Sequence, residues 1–186
     1  MPSVLAALAV LTLALTAASE PAAPAGAVPQ YNASLVVLAL AAHDERGWSA
    51  GGQVGLRPEL FLGRRDATSV GAGPFLEVSA HLANRGVAAL LGGGASLLLP
   101  LGDSNALVPS LGGYGTFSEA LGLQPGLCAG LFFGARQFNA RSFFDGAWGL
   151  RLDVRYGLGS SREAMVTLGG QLDLSLAAFL LSWVFQ

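Results

Sequence analysis

The chain has 186 residues, a formal net charge of −2 and 12% charged residues, about half of the roughly 25% usual in soluble domains. This length fits one domain, and the slight acidity excludes a basic, nucleic-acid-binding surface. The single cysteine, Cys128, excludes an intramolecular disulfide and a cysteine-based metal site. We therefore expect one domain with few charges on its surface.

The N-terminal residues have the pattern of an export signal. Val4–Ala18 is an uncharged run, long enough for a signal-peptide core and short for a membrane-spanning helix. Small residues suited to cleavage end at positions 19 and 27, although no Lys or Arg precedes the run. We expect a signal peptide over residues 1–19, with cleavage as late as residue 27; an uncleaved apolar helix is the alternative. Residues 20–31 are rich in Pro and Ala and predict an extended lead-in to a folded domain at 32–186.

Eight segments of this domain have the length of β-strands and end at polar or glycine-rich turns. Most of them alternate between apolar and small or polar residues, but Asn32–Ala42 alternates poorly and, taken alone, also fits a helix. Pro74 removes a ladder donor within the third segment, which predicts a bulge there. The predicted strands are Asn32–Ala42, Trp48–Leu62, Thr68–Leu82, Val87–Leu101, Ala106–Phe117, Leu123–Phe138, Trp148–Leu158 and a last strand that begins at Ala164.

The clearest of these strands is Trp148–Leu158, which alternates strictly over its whole length. One face carries large apolar and aromatic side chains, and the other carries Gly149, Arg151, Asp153, Arg155 and Gly157. Short polar turns between such strands require antiparallel neighbours, and eight strands in a meander close into a barrel that has no exposed edge. We therefore predict an all-β fold, an antiparallel up-and-down eight-stranded β-barrel.

The faces of the strands predict which side of the barrel is apolar. The polar faces hold mostly Gly and Ser, too little charge to solvate the outside of a soluble domain but suited to a narrow interior. Their charges also balance, four positive against four negative, as a lumen of low dielectric requires. These eight residues form the predicted lumen charge network: Arg57, Glu59, Glu77, Arg136, Arg151, Asp153, Arg155 and Asp173. The barrel is therefore predicted to be transmembrane, with its apolar face in lipid.

Aromatic residues mark the predicted edges of the lipid-facing band. The distance from Trp148 to Tyr156 is roughly 26 Å along a strand, or about 20 Å along the normal at a tilt of about 40°. That is close to the apolar band of about 25 Å, flanked by aromatic girdles, of transmembrane barrels. The predicted aromatic girdle consists of Trp48, Trp148, Tyr156 and Trp183.

Taken together, the signal-like start, the eight strands and the aromatic-rich segment Phe179–Gln186 resemble the small eight-stranded outer-membrane β-barrels of Gram-negative bacteria. The resemblance covers about Asn32–Gln186 and is one of pattern. It implies an outer-membrane location, contact with outer-membrane lipids and recognition by the barrel assembly machinery. Two features depart from that pattern: Phe185 is penultimate rather than last, and Ala177–Ala178 shifts the apolar phase of the last strand.

One set of residues suggests an enzyme. Glu77, Ser79 and His81 share a strand face and are similar to the catalytic sets of outer-membrane lipid hydrolases. Those enzymes place the set toward lipid near one rim, whereas here it points inward, so a hydrogen-bonded lumen cluster is the expectation. Two distant histidines without a cysteine partner predict no metal site, and the glycine clusters lack the following helix of a nucleotide-binding loop, so no cofactor is expected.

The predicted function is therefore a structural or interaction role in the envelope, without catalysis. An eight-stranded lumen filled by paired charges leaves no permanent channel, and the turns at residues 43–47, 83–86, 118–122 and 159–163 are too short for an adhesin or receptor. The alternatives are a lipid-modifying barrel hydrolase that uses Glu77, Ser79 and His81, and a soluble exported barrel similar to lipocalins.

Overall fold

A computed structural model of the chain describes residues 26–84, 86–118, 122–139, 145–159 and 162–174. The predicted signal peptide, Trp183 and the phase shift at Ala177–Ala178 lie outside these residues. In the described part of the chain, no helix is long and apolar enough to cross a membrane.

Eight β-strands make up most of the described chain, which confirms the predicted all-β class. Each predicted segment corresponds to one strand, including the first, whose weak alternation also fitted a helix. The strands are β1 (Gln30–Asp44), β2 (Gly47–Phe61), β3 (Gly71–Ala83), β4 (Gly86–Leu101), β5 (Asn105–Ser118), β6 (Gly122–Arg136), β7 (Ala147–Gly157) and β8 (Ala164–Asp173).

The strands pair in sequence order, all antiparallel, and β8 pairs with β1 to close the barrel. Along the hydrogen-bonded partners, a circuit that leaves β1 at Asn32 returns to it at Ala42, a stagger of ten residues. With strands about 4.8 Å apart and a rise of about 3.3 Å per residue, this stagger requires a tilt of about 40°. The predicted up-and-down meander is confirmed.

The prediction of a bulge at Pro74 is wrong. β3 keeps one register against β2 on both sides of Pro74, from Leu56 paired with Val78 to the bridge between Leu62 and Ala72. On its other edge, Pro74 itself pairs with Ala95 in an unbroken ladder with β4. The missing donor is therefore accommodated as a gap in hydrogen bonding rather than as an extra residue.

The two ends of the barrel differ. At the terminal end, where β1 begins and β8 ends, the connections are residues 62–70, 102–104 and 137–146. At the distal end, the connections are residues 45–46, 84–85, 119–121 and 158–163. Three distal strands, β2, β4 and β6, begin on a glycine with positive φ, a conformation that costs other residues energy, which is why these turns can be so short.

Side chains alternate between the interior and the outside along every strand. Every Asp, Glu and Arg of the eight strands occupies an inward position, while the outward positions are almost entirely apolar. Apolar side chains also fill the interior at each end. The terminal plug consists of Phe61, Leu98, Ala106, Val108, Phe132 and Ala147, and a smaller distal cluster consists of Leu40, Ala42 and Met165.

Candidate functional site

Most of the charged residues predicted for the lumen lie deep inside the barrel. Seven of the eight are at most 4% exposed, and they come from β2, β3, β6 and β7. The eighth, Asp173, is half-buried at the last position of β8, where it accepts a hydrogen bond from Asn32 Nδ2 at 3.0 Å. These residues occupy alternate positions in the sequence, and alternate side chains of a strand point to the same face. The same periodicity therefore predicts them and turns them inward.

The seven deeply buried charges belong to one continuous chain of ion pairs in which the sign alternates at every step. The chain starts in the middle of β7, where Arg151 contacts Asp153 at 2.6 Å, and Asp153 contacts Arg155 at 3.5 Å. Glu77 then bridges Arg155 at 2.6 Å and Arg57 at 3.2 Å. We call this segment, together with its continuation below, the luminal ion chain.

The luminal ion chain continues toward the terminal end. Arg57 contacts Glu59 at 3.1 Å, and Glu59 also pairs with Arg136. From Arg136 the chain passes to Asp145 at 3.6 Å and from Asp145 to Arg64 at 3.3 Å. Nine charges are therefore connected from the middle of β7 to the loops of the terminal end.

Neutral polar side chains complete the coordination of these charges. Ser96 Oγ and Ser110 Oγ accept hydrogen bonds from Arg57 and Arg151, at 3.4 and 3.3 Å. Gln53 accepts from Arg155 at 2.6 Å and donates to Glu77 at 2.7 Å. Because a buried charge is tolerated only when paired and hydrogen-bonded, these Ser and Gln residues help to stabilise the ion chain.

Arg57 and Arg136 also contact aromatic rings. The guanidinium carbon of Arg57 lies 3.6 Å from the ring centroid of Phe75. Arg136 lies 4.8 Å from the ring centroid of Phe61 and 5.2 Å from that of Phe132, both in the terminal plug. A cation over an aromatic face gains electrostatic energy, more so where water is excluded. The plug therefore stabilises the charge above it.

Among the described residues, Arg64 and Asp145 are the buried charged residues that the sequence did not predict. Both lie in connections, Arg64 after β2 and Asp145 before β7, and each is 1% exposed. The stem of Arg64 packs so closely over Gly71 and Phe61 that a Cβ on Gly71 would collide with it. Because connections have no alternation, no period in the sequence distinguishes this pair from solvated turn residues.

The ionisation of the loop residues follows their surroundings. Burial raises the pKa of Asp145 to about 6, against the opposing effects of Arg136 and Arg64. Burial also lowers the pKa of Arg64, so desolvation exceeds the attraction of Asp145 for both partners. On the exposed side of the same loop, hydrogen bonds from Ser69 and Thr68 lower the pKa of Asp66.

The Glu77, Ser79 and His81 set lies in the lumen but does not form a catalytic relay. Ser79 Oγ accepts a hydrogen bond from Gln53 at 3.1 Å and lies 3.5 Å from Glu77 Oε1. His81 Nε2 lies 3.4 Å from Arg155 Nη1, and no hydrogen bond between the described residues joins His81 to Ser79. A base that activates a serine must reach its hydroxyl, and here the imidazole faces a cation instead.

Of the predicted aromatic girdle, three residues can be placed. Trp48 lies at the distal rim, beside the ring of His43 with centroids 5.0 Å apart, and it is 74% exposed. Trp148 and Tyr156 point outward from opposite ends of β7. Trp183 lies outside the described residues.

Two further observations limit the chemistry of the lumen. In the described part of the chain, no group of three or more His, Cys, Asp or Glu side chains is placed to hold a metal ion. The thiol of Cys128 lies among the luminal residues, half-buried. Each carboxylate of the ion chain is paired with arginine, an arrangement that suits a packed interior rather than the coordination of a metal ion.

Comparison with protein-family models, with curated proteins and with solved structures finds no match for this chain. Its own geometry therefore defines its class: a closed, eight-stranded, up-and-down β-barrel with an ionic interior and an apolar exterior.

Proposed function

We propose that the protein is an integral outer-membrane β-barrel with a structural or interaction role in the envelope. The observation that carries the proposal is the outer surface of the strands, which has no Asp, Glu or Arg at any outward position. Soluble proteins rarely expose large continuous apolar patches, and such a surface marks contact with another apolar phase. A belt that surrounds the whole barrel fits lipid better than it fits one protein partner.

The apolar surface is large in energetic terms. Twenty-seven large apolar side chains of the described residues are exposed, from Leu152 at 39% to Trp48 at 74%. At about 25 cal/mol per Å², transferring such a belt from water to lipid is favourable by tens of kcal/mol. The ten steps along β7 rise about 25 Å at the barrel's tilt, which matches the apolar band of transmembrane barrels.

The interior supports a structural role over transport. The luminal ion chain occupies the central cross-section, and the terminal plug closes one end with side chains such as Leu98, Val108 and Phe132 that are fully buried. An eight-stranded barrel is just wide enough for side chains to fill it. The proposal includes outer-membrane lipids and the barrel assembly machinery as partners.

Fractionation tests the membrane location directly. The full chain expressed in a Gram-negative host is expected in the outer-membrane fraction, to resist extraction by urea, and to migrate differently on gels when boiled. Recovery in detergent-free buffer, with the same mobility before and after boiling, would instead support a soluble exported barrel.

A charge introduced on the outer face distinguishes a membrane barrel from a soluble barrel more sharply than fractionation does. Leu111→Arg places a cation at an outward position in the middle of β5, where 69% of the side chain is exposed. In a bilayer this change should lower the free energy of unfolding by about 2–4 kcal/mol, measured by urea titration in lipid vesicles, because the cation lies near the midplane. The matched control Val87→Arg, near the distal end of β4, should cost only about 0–1 kcal/mol. A soluble barrel would tolerate both changes equally.

The geometry of Ser79 and His81 leads us to propose no catalytic role for them. The lipid composition of the outer membrane should be the same with Ser79→Ala or His81→Ala as with the unaltered chain. A changed lipid profile, with barrel assembly intact, would favour a lipid hydrolase.

A further inference from the structure

The luminal ion chain carries more positive than negative charge. Both of its ends are arginines, Arg151 in β7 and Arg64 in the β2–β3 connection. Because the sign alternates at every step, five arginines face four carboxylates, and each of these nine residues is at most 4% exposed. Asp173 lies outside this chain and accepts a hydrogen bond from Asn32. A buried charge without a counterion is costly, so the excess cation requires compensation.

The unsatisfied donors lie at the terminal end of the ion chain. At the other end, all three guanidinium nitrogens of Arg151 donate hydrogen bonds, to one carboxylate and two neutral side chains. At the terminal end, Arg64 Nε, Arg136 Nε, Arg136 Nη1 and Asp145 Oδ1 are buried and have no hydrogen-bond partner. In the described part of the chain only one other buried side-chain atom, Thr167 Oγ1, has none. Three donor nitrogens and one acceptor oxygen are therefore left over in one cluster.

The three side chains of this cluster meet at a single oxygen. Asp145 Oδ2 contacts Arg64 Nη1 at 3.3 Å and Arg136 Nη1 at 3.6 Å, so one carboxylate oxygen serves two cations. Both distances exceed the roughly 2.7–2.9 Å of a charge-assisted hydrogen bond, so a ligand that parts these side chains disrupts only weak contacts. Arg64 lies in the connection of residues 62–70 at the rim of the barrel, which gives such a ligand a short route from solvent.

We propose that Arg64, Arg136 and Asp145 form a binding site for a protonated phosphate group. The negative charge of the phosphate balances the excess cation, and its oxygens accept hydrogen bonds from the unpartnered arginine nitrogens. The proton that hydrogen phosphate retains donates to Asp145 Oδ1, which lacks a donor in the structure. Water would bring no charge, and chloride would bring no donor for the carboxylate.

A comparison of phosphate with sulfate tests this chemistry. Sulfate carries no proton at neutral pH, so none of its oxygens can donate to Asp145 Oδ1. Calorimetric titration of the full chain in an uncharged detergent is expected to give a dissociation constant of about 1 mM or tighter for inorganic phosphate, and roughly tenfold weaker binding of sulfate. Asp145→Asn replaces the carboxylate with an amide that can donate, so this variant should bind sulfate roughly tenfold more tightly than the unaltered chain does.

Amide hydrogen exchange locates the bound phosphate. The Val28 N–H donates to Arg64 O at 2.7 Å, so its protection reports whether the β2–β3 connection is docked. At a phosphate concentration ten times the dissociation constant, a ligand that binds only the docked connection should raise the protection of Val28 about tenfold. The amides of Leu62 and Ala72, which exchange hydrogen bonds with each other's carbonyl oxygens in the adjoining bridge, should be unaffected.

A neighbouring arginine provides the matched control. Arg64→Gln should abolish phosphate binding, whereas Arg65→Gln, at an exposed position of the same connection, removes the same charge and should preserve it. Circular dichroism checks that each variant forms the barrel, and if Arg64→Gln does not, the sulfate affinity of Asp145→Asn decides. The site is overturned if phosphate neither releases heat nor changes Val28 protection in the unaltered chain, or if phosphate and sulfate bind equally.

The source of the phosphate group is determined in mixed micelles. If phosphatidic acid raises the protection of Val28 at lower concentration than inorganic phosphate does, the site takes the phosphate of a lipid, and the opposite order identifies free phosphate. Either order supports the site. The result does not depend on the membrane location, because a soluble chain can be titrated with inorganic phosphate and sulfate in buffer in the same way.

Discussion

At the scale of the residue, glycine determines where the luminal charges fit. Gly130 faces the lumen from β6, and a Cβ there would collide with Asp153 Oδ1, Arg151 Nη2 and Ser110 Oγ. Gly170, by contrast, is an outward glycine of β8 with open space around its Cα. The alternation predicted an inward Gly130, but the sequence could not indicate which side chains use the space that it leaves.

These two glycines make a matched pair for mutation. Gly130→Ala should destabilise the barrel by about 1–3 kcal/mol, because the added methyl group displaces a buried ion pair. Gly170→Ala should be neutral or stabilise by up to about 1 kcal/mol, since alanine restricts the unfolded chain and meets no atom in the barrel. Urea titration of both variants in micelles checks this, and equal effects would contradict the packing around Gly130.

At the scale of the element, a strand was easier to predict from the sequence when its lumen-facing residues were polar. In β7 the inner positions are Gly, Arg and Asp, so the apolar outer row is conspicuous and the sequence placed the strand to within one residue. In β1 the inner row includes Val36, Leu38 and Leu40, while the outer row is also apolar. Two apolar faces have no period of two, which is why β1 resembled a helix until its place in the closed barrel was known.

The charges of β7 provide a test of the strand's inner face. Arg151→Leu alone should destabilise by about 3–5 kcal/mol, because it removes the 2.6 Å partner of Asp153 inside the barrel. The double variant Arg151→Leu with Asp153→Leu keeps the net charge and should recover most of that loss, since a buried pair can be replaced by apolar groups of similar size. The free energies of unfolding of the unaltered chain, Arg151→Leu and the double variant decide this, and a double variant no more stable than Arg151→Leu would contradict it.

At the scale of the whole molecule, the barrel reverses the arrangement of a soluble protein, in which apolar side chains lie inside and charged side chains lie outside. The charges lie inside and are paired across the lumen, and the large apolar side chains lie outside. Alternation and charge balance predicted this arrangement, because both are properties of strand periodicity. The contact between Arg64 and Asp145 could not be predicted, because these residues meet through the closure of the barrel and not through any local pattern.

The filled interior predicts that the barrel does not conduct ions. The full chain reconstituted into planar bilayers should show no steady conductance at neutral pH, since the terminal plug and the luminal ion chain leave no continuous aqueous path. Stable, ion-selective current steps from a preparation with heat-modifiable mobility would contradict the closed lumen.

The luminal ion chain also bears on the order in which the barrel forms. Glu77 and Arg155 are separated by 78 residues, and Glu59 and Arg136 by 77, so their pairs join strands that are not neighbours. A hairpin or an open sheet would present these charges without their partners, and such a surface is costly to carry into a bilayer. The pairing of β8 with β1 closes the sheet and thereby brings opposite walls together. For the membrane barrel that we propose, we therefore expect insertion and closure to be coupled in a single cooperative event, in which partly assembled sheets remain at the membrane surface until their charges can neutralise one another.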